Sequence, residues 1–170
     1  MAPTSPALPG SAADAFLHVQ TRRAGKIKGE AVASGHADDI EVIGWQWGVS
    51  ANSALGGKAA TARRSYTALT VVKRVDAATA GLLSALAGND DVKEARLTLR
   101  RAGGEQEDFF SIKLQDARIA SLAHRGDSEG NTEETLTIAF TKVELSYQPQ
   151  KASGQRGGAC TFQDELPGAG

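Results

Sequence analysis

Three histidines, His18, His36 and His124, and a single cysteine, Cys160, are the residues of this chain best suited to acid–base or nucleophilic chemistry. His36 has the richest surroundings, in Ser34-Gly35-His36-Ala37-Asp38-Asp39. An imidazole beside carboxylates could serve a small hydrolase, with Asp38 or Asp39 orienting His36. A triad, however, is defined by the spatial roles of its members, and sequence neighbours rarely supply that geometry. His36 therefore reads as structural or solvated. His18, on the strand face opposite Leu17 and Val19, reads as structural. Cys160 lies in a glycine-rich stretch without the base partner and cleft that a reactive thiol needs. It reads as an incidental free thiol, and one cysteine allows no intramolecular disulfide, which suits folding in a reducing compartment.

Metal-ligand spacings of the CxxC or HExxH kind are absent from the sequence, as are GxxxxGK[ST] and GxGxxG. Gly56-Gly57-Lys58 lacks the strand-to-loop setting of a phosphate cradle. Arg22-Arg23 and Arg63-Arg64 read as solvated basic pairs, and Arg125-Gly126-Asp127 as a polar turn. The expectation is a protein that is not an enzyme and has no cofactor, no catalytic residues and no metal.

The elements that must position these residues are mostly strands. The chain has 170 residues, enough for one domain that buries a self-supporting core. The formal net charge of −1 leaves no basic footprint for nucleic acid. No apolar run reaches the roughly 18 residues of a transmembrane helix. The start, MAPTSPALPGSAADAF, lacks the basic flank and apolar centre of a cleaved secretory signal.

Residues 1–12 read as a flexible arm, 13–166 as a single domain, and 167–170 as a flexible tail. Candidate strands cover 13–20, 40–49, 66–75, 92–101, 108–114, 117–124 and 133–147. Ala95, Leu97 and Leu99 alternate with Glu94, Arg96, Thr98 and Arg100, the signature of a strand with one apolar face. In 133–147 the apolar parity switches, from Leu136, Ile138 and Phe140 to Val143, Leu145 and Tyr147. Such a switch implies a bulge, or a strand that buries different faces in its two halves. The region of about 76–88 holds the one convincing helix, Asp76 to Leu86, with Asp76 as N-cap, Gly88 just past the end, and an apolar stripe of Thr79, Leu82, Leu83 and Leu86. Residues 50–65 read as a long basic loop, and 148–170 as a glycine-rich tail outside the core. Together these predict a mainly β fold, a compact barrel of antiparallel strands with one flanking α-helix.

The stretch Ile40-Glu41-Val42-Ile43-Gly44-Trp45-Gln46-Trp47-Gly48-Val49 is apolar at both parities. A strand buried on both sides needs cover on both sides, and one helix covers little. The expectation is that this strand is shared between the barrel interior and a subunit interface; the alternative is an inner strand covered by the single helix and a loop.

The order of segments resembles the Hcp family, the haemolysin-coregulated proteins that form the inner tube of type VI secretion. Ile27-Lys28-Gly29-Glu30 resembles the turn after its first strand. His36, Ile40-Glu41-Val42 and Trp47-Gly48-Val49-Ser50 resemble its central signature. Val75-Asp76-Ala77-Ala78-Thr79 with Leu82 is similar to its helix start, although Ala77 and Ala80 stand where that pattern has Lys and Pro. Glu133-Glu134, Lys142-Val143 and Tyr147 resemble its long last strand, and Gly157-Gly158 with Asp164 its tail. The resemblance spans residues 13–166.

It implies a structural subunit that forms homohexameric rings, which stack into an exported tube carrying effectors in its lumen. It further implies a spike protein and a sheath and baseplate as partners, and no membrane insertion. The protein would be cytoplasmic before firing and secreted without a cleaved signal peptide. Gly29, Glu30, His36, Glu41, Trp45, Trp47, Gly48, Asp76 and Tyr147 become candidates for assembly. Lys58, Arg63 and Arg64 become candidates for ring stacking, paired with Asp127 or Glu129 of the next ring. A phage-like contractile tail-tube subunit is the alternative of nearly the same fold.

Overall fold

The computed structural model describes residues 13–52, 63–101, 107–149 and 157–167. The arm at 1–12 and Lys58 lie outside these residues. Twelve strands and one helix are present among the described residues. They run β1 (Ala13–Thr21), β2 (Gly25–Lys26), β3 (Ile40–Val42), β4 (Gly44–Gln46), β5 (Val49–Asn52), β6 (Arg63–Tyr66), β7 (Leu69–Arg74), α1 (Thr79–Ala87), β8 (Val92–Arg101), β9 (Asp108–Gly126), β10 (Thr132–Ala139), β11 (Lys142–Tyr147) and β12 (Cys160–Glu165).

Ten strands form one antiparallel sheet, with the backbone order β2-β1-β8-β9-β10-β7-β4. From this path β3 branches beside β1, and β11 branches from β9 and carries β12. The other two strands, β5 and β6, make a separate ribbon. The expected mainly β fold with one helix is therefore present, but among the described residues the hydrogen-bonded ladder does not close into a barrel.

The tryptophan stretch explains why. It is three short strands with three different partners: β3 pairs with β1, β4 with β7, and β5 with β6. At the first change of partner, Ile43 N–H donates to Val72 O at 2.8 Å. A segment that changes neighbours this often presents different parities to the core in turn. Ile40 is fully buried and Val42 half-buried, whereas Ile43 and Trp45 are exposed. Apolar residues at both parities record that passage between sheet edges.

The spine is β9, 19 residues long. Its first half lies between β8 and β11, and its second half pairs with β10. Asp116, with φ 47°, marks the bend between the halves. Opposite the bend, β10 ends and β11 begins, and Thr141 Oγ1 donates to Asp116 O at 3.0 Å. Leu136, Ile138 and Phe140 are buried before the break and Val143 after it. The parity switch in the sequence is this corner.

The helix is shorter than expected. It begins at Thr79, and its N-cap residue Ala78 has helical angles and no side-chain cap. Asp76 instead accepts from Ala78 N–H at 2.9 Å and holds the turn before the helix. Gly88 has φ −86°, and the left-handed residue is Asn89 with φ 52°. Leu82 and Ala85 are buried, whereas Leu83 is exposed because it faces away from the sheet.

Two further expectations are corrected. Residues at both ends of the 50–65 loop form the ribbon of β5 and β6. The glycine-rich stretch contains β12, which pairs along the whole of β11, from Lys142↔Glu165 to Tyr147↔Cys160.

Candidate functional site

His36 is held at the end of an extended loop, buried, by two carboxylates. Nδ1 lies 3.0 Å from Asp39 Oδ2 and Nε2 lies 2.8 Å from Asp108 Oδ1. Its ring stacks on Phe16 at 4.4 Å between centroids, and the Arg100 guanidinium lies over that phenyl ring at 5.2 Å. Asp39 also accepts from Lys26 Nζ at 2.9 Å. Both ring nitrogens are thus engaged by carboxylates, and neither faces a hydroxyl or thiol as the base of a triad must. The arrangement pins the loop to β1 and to the start of β9. Among the described residues no group of His, Cys, Asp or Glu is placed to hold a metal ion.

Gly29, on the same loop, is there because backbone passes over it. A Cβ at this position would lie 2.5 Å from Asp39 O and 2.7 Å from Ile40 Cα. Glu30 and Glu41 stand beside a cleft of about 640 Å³, together with Asp14, Val32, Ile43, Arg74 and Val75. Val32, Ile43 and Val75 are exposed here, Val32 at 91%.

A second apolar surface continues the core face beyond the body. Trp45 stacks on Phe110 at 5.9 Å. Tyr147 lies opposite Phe110 in the ladder, and Phe162 lies opposite Leu145. Residues directly opposite in an antiparallel pair share a face, so Phe110 and Tyr147 line one strip with Leu145 and Phe162. Within it Trp45, Tyr147 and Phe162 are exposed large apolar side chains. The strip ends at β12, whose far edge pairs with no strand among the described residues.

Trp47 and Gly48 sit at the root of the ribbon. Trp47 stacks on Tyr66 at 5.8 Å, and Tyr66 meets Phe140 edge-on at 5.6 Å. Gly48 N–H donates to Thr67 Oγ1 at 3.0 Å. Arg63 is exposed on β6, and Arg64 binds Asp164 of its own chain. The Arg64 guanidinium and Tyr66 hydroxyl hold the Asp164 carboxyl below the usual range. Burial, with the Asp164 carboxylate beside it, pushes the Tyr66 phenol up.

Asp76 belongs to a separate buried network, accepting from Lys73 Nζ at 2.8 Å. Lys73 also donates to Glu134. Burial pushes the Glu134 carboxyl up, but the hydrogen bonds from Lys73 and Thr79 and the Lys73 charge outweigh it and hold the group low. Lys73 has the core-facing parity of Leu69 and Val71, and Glu134 that of Leu136 and Ile138. A charge at a core parity on each of two strands was the signal in the sequence for this pair. Asp108, which completes the His36 clasp, had no such signal.

The described candidates thus fall into four places rather than one: the pinned loop and its cleft, the aromatic strip, the ribbon root and the buried ion network. None of these is a catalytic constellation. Residues 16–147 match the family model described as "Type VI secretion system effector, Hcp". The chain belongs to the Hcp family.

Among curated Hcp relatives, Protein hcp1 of Pseudomonas aeruginosa is 32% identical over 151 residues, covering 86% of this chain and 90% of its own. The crystal structure of Hcp1 from Salmonella typhimurium superposes with a TM-score of 0.72 at 25% identity, covering 91% of this chain and 95% of that one. A structure described as a type six secretion system protein superposes with a TM-score of 0.82 at 24% identity, covering 91% of this chain and 96% of that one. An Hcp protein of type VI secretion accounts for the mainly β architecture with its single helix. No helix among the described residues is long and apolar enough to cross a membrane.

Proposed function

We propose that this chain is a structural subunit of the type VI inner tube, forming hexameric rings that stack, are exported and carry effectors in the lumen. The observation that carries this reading is the strip of Trp45, Tyr147 and Phe162, which its own chain leaves exposed. It lies on the core side of the sheet beside the edge of β12 that pairs with no strand among the described residues. Aromatic side chains continuous with a core face are the usual anchors of a protein interface. The cleft at Val32, Ile43 and Val75, lined also by Asp14, Glu30, Glu41 and Arg74, is a second surface of different chemistry. A closed ring needs two unlike surfaces on each subunit, because its contacts are heterologous.

In this reading Glu30, Glu41, Trp45 and Tyr147 contribute to contacts between subunits. Gly29, His36, Trp47, Gly48 and Asp76 shape the elements that present them. The segment 50–65 is the element assigned to ring stacking, with Lys58 and Arg63 as its cations. Arg64 has a partner in its own chain and is withdrawn from that role. The spike protein and the sheath and baseplate are the remaining partners, and the protein leaves the cytoplasm with the tube.

Native mass spectrometry near physiological ionic strength tests the reading. The expected dominant species is about 106 kDa, six chains of 17.7 kDa (6 × 17.7). The double variant W45A/F162A should shift it to monomer. A monomeric parent protein would overturn the ring.

A further inference from the structure

Among the described residues, the ribbon of β5 and β6 has a ladder of four residue pairs, from Val49↔Tyr66 to Asn52↔Arg63. An isolated two-stranded hairpin is at best marginally stable in water. Neither strand joins the main sheet among the described residues. At its root, the backbone ties to Thr67 hold the two arms to each other rather than to the body. Something else must fix its direction.

The structure assigns that task to Asp164: we propose that it is a latch that locks the ribbon onto the edge strand β12. Its two carboxylate oxygens collect three donors from β6. Arg64 Nε donates to Oδ2, Arg64 Nη2 to Oδ1 at 2.9 Å, and the Tyr66 hydroxyl to Oδ2 at 2.7 Å. Arg64 Nη2 also donates to Glu165 O at 2.9 Å, so the guanidinium grips backbone as well as side chain. A bidentate guanidinium–carboxylate pair fixes direction as well as distance. The Tyr66 ring, wedged between Trp47 and Phe140, limits how the ribbon can rotate about that point.

Asp164 is thus a positioning residue, acting on ribbon orientation from the far end of the sequence. The latch itself does not depend on assembly. Its consequence for stacking rests on the tube reading above: with the latch open, rings would form and stack poorly.

Hydrogen exchange followed by mass spectrometry on the full chain tests the latch directly. In D164A, amides of 49–52 and 63–66 should exchange at least about tenfold faster, as local opening becomes easier. Amides of 92–101 should keep their protection. The charge-swapped double variant R64D/D164R should recover much of the loss. Unchanged exchange in the ribbon of D164A would overturn the latch.

Should D164A lose protection throughout, Y66F and R64K decide the matter. Each removes part of the grip without removing the carboxylate, and each should speed exchange in the ribbon alone. No change in either overturns the proposal. The ring reading fails on a different measurement, the native mass of the parent protein, so the two cannot be confused.

Discussion

Lys73 Nζ and Glu134 Oε2 lie 2.7 Å apart, and neither side chain has any exposed surface. Asp76 takes a second contact with the ammonium at 2.8 Å, while the Thr79 hydroxyl and His124 approach the other oxygen of Glu134. One buried pair thereby joins β7, the turn before α1, and β10. Desolvating two charges is costly, so a pair of this kind is retained only with every remaining donor and acceptor engaged.

Removing one partner should be far worse than removing both. E134A leaves the Lys73 ammonium buried beside Asp76 alone, and should cost about 3–5 kcal/mol. The double variant K73M/E134L should recover most of that loss. Urea denaturation of all three proteins checks this, and a double variant as unstable as E134A would count against it.

Acid should unfold this protein by way of the same pair. The folded Glu134 carboxyl titrates below its ordinary range despite burial, through Lys73, Thr79 and His124. Asp164 is lowered by Arg64 and Tyr66. A carboxyl lowered in the folded state binds its proton more readily when unfolded, so its stabilisation is complete above the unfolded pKa, roughly 4. It is lost as the pH falls from there through the lower folded values. Urea midpoints should hence hold steady from neutral pH down to about 5 and fall below about 4. In E134Q the fall should be shallower.

Gly29 should not tolerate a side chain. A methyl there would sit 2.5 Å from Asp39 O, and both neighbours it meets are backbone, which cannot rotate aside. G29A should cost about 1–3 kcal/mol by overpacking. Gly48 is the control, because a Cβ there meets nothing within 4 Å. G48A should change stability by less than about 1 kcal/mol. Thermal melts of the two variants side by side decide the point.

Local pattern was a good guide where one strand kept one set of neighbours. The alternation of Ala95, Leu97 and Leu99 placed β8 to the residue. The parity switch between Phe140 and Val143 located the corner opposite Asp116. Pattern failed where partners changed. Residues 40–49 read as one strand because β-branched and aromatic residues run through them, yet they serve three ladders. In β12, Phe162 is the one large apolar residue, so there was no alternation to read. The helix start moved to Thr79 because Asp76 accepts from Lys73 and Ala78 instead of capping α1. The His36 clasp needed Asp108, 72 residues away, which no local spacing reveals.

At Ile43 the chain leaves β1 for β7, so the circuit of strands is completed by a covalent link instead of a ladder. That difference is mechanical. Elsewhere a force along one strand is shared sideways by a row of hydrogen bonds acting in parallel. Across this seam it is borne in series, through a few peptide units with three residue pairs on either side. Under load the wall should open here first, by peeling one short strand, while β8, β9 and β10 stay joined.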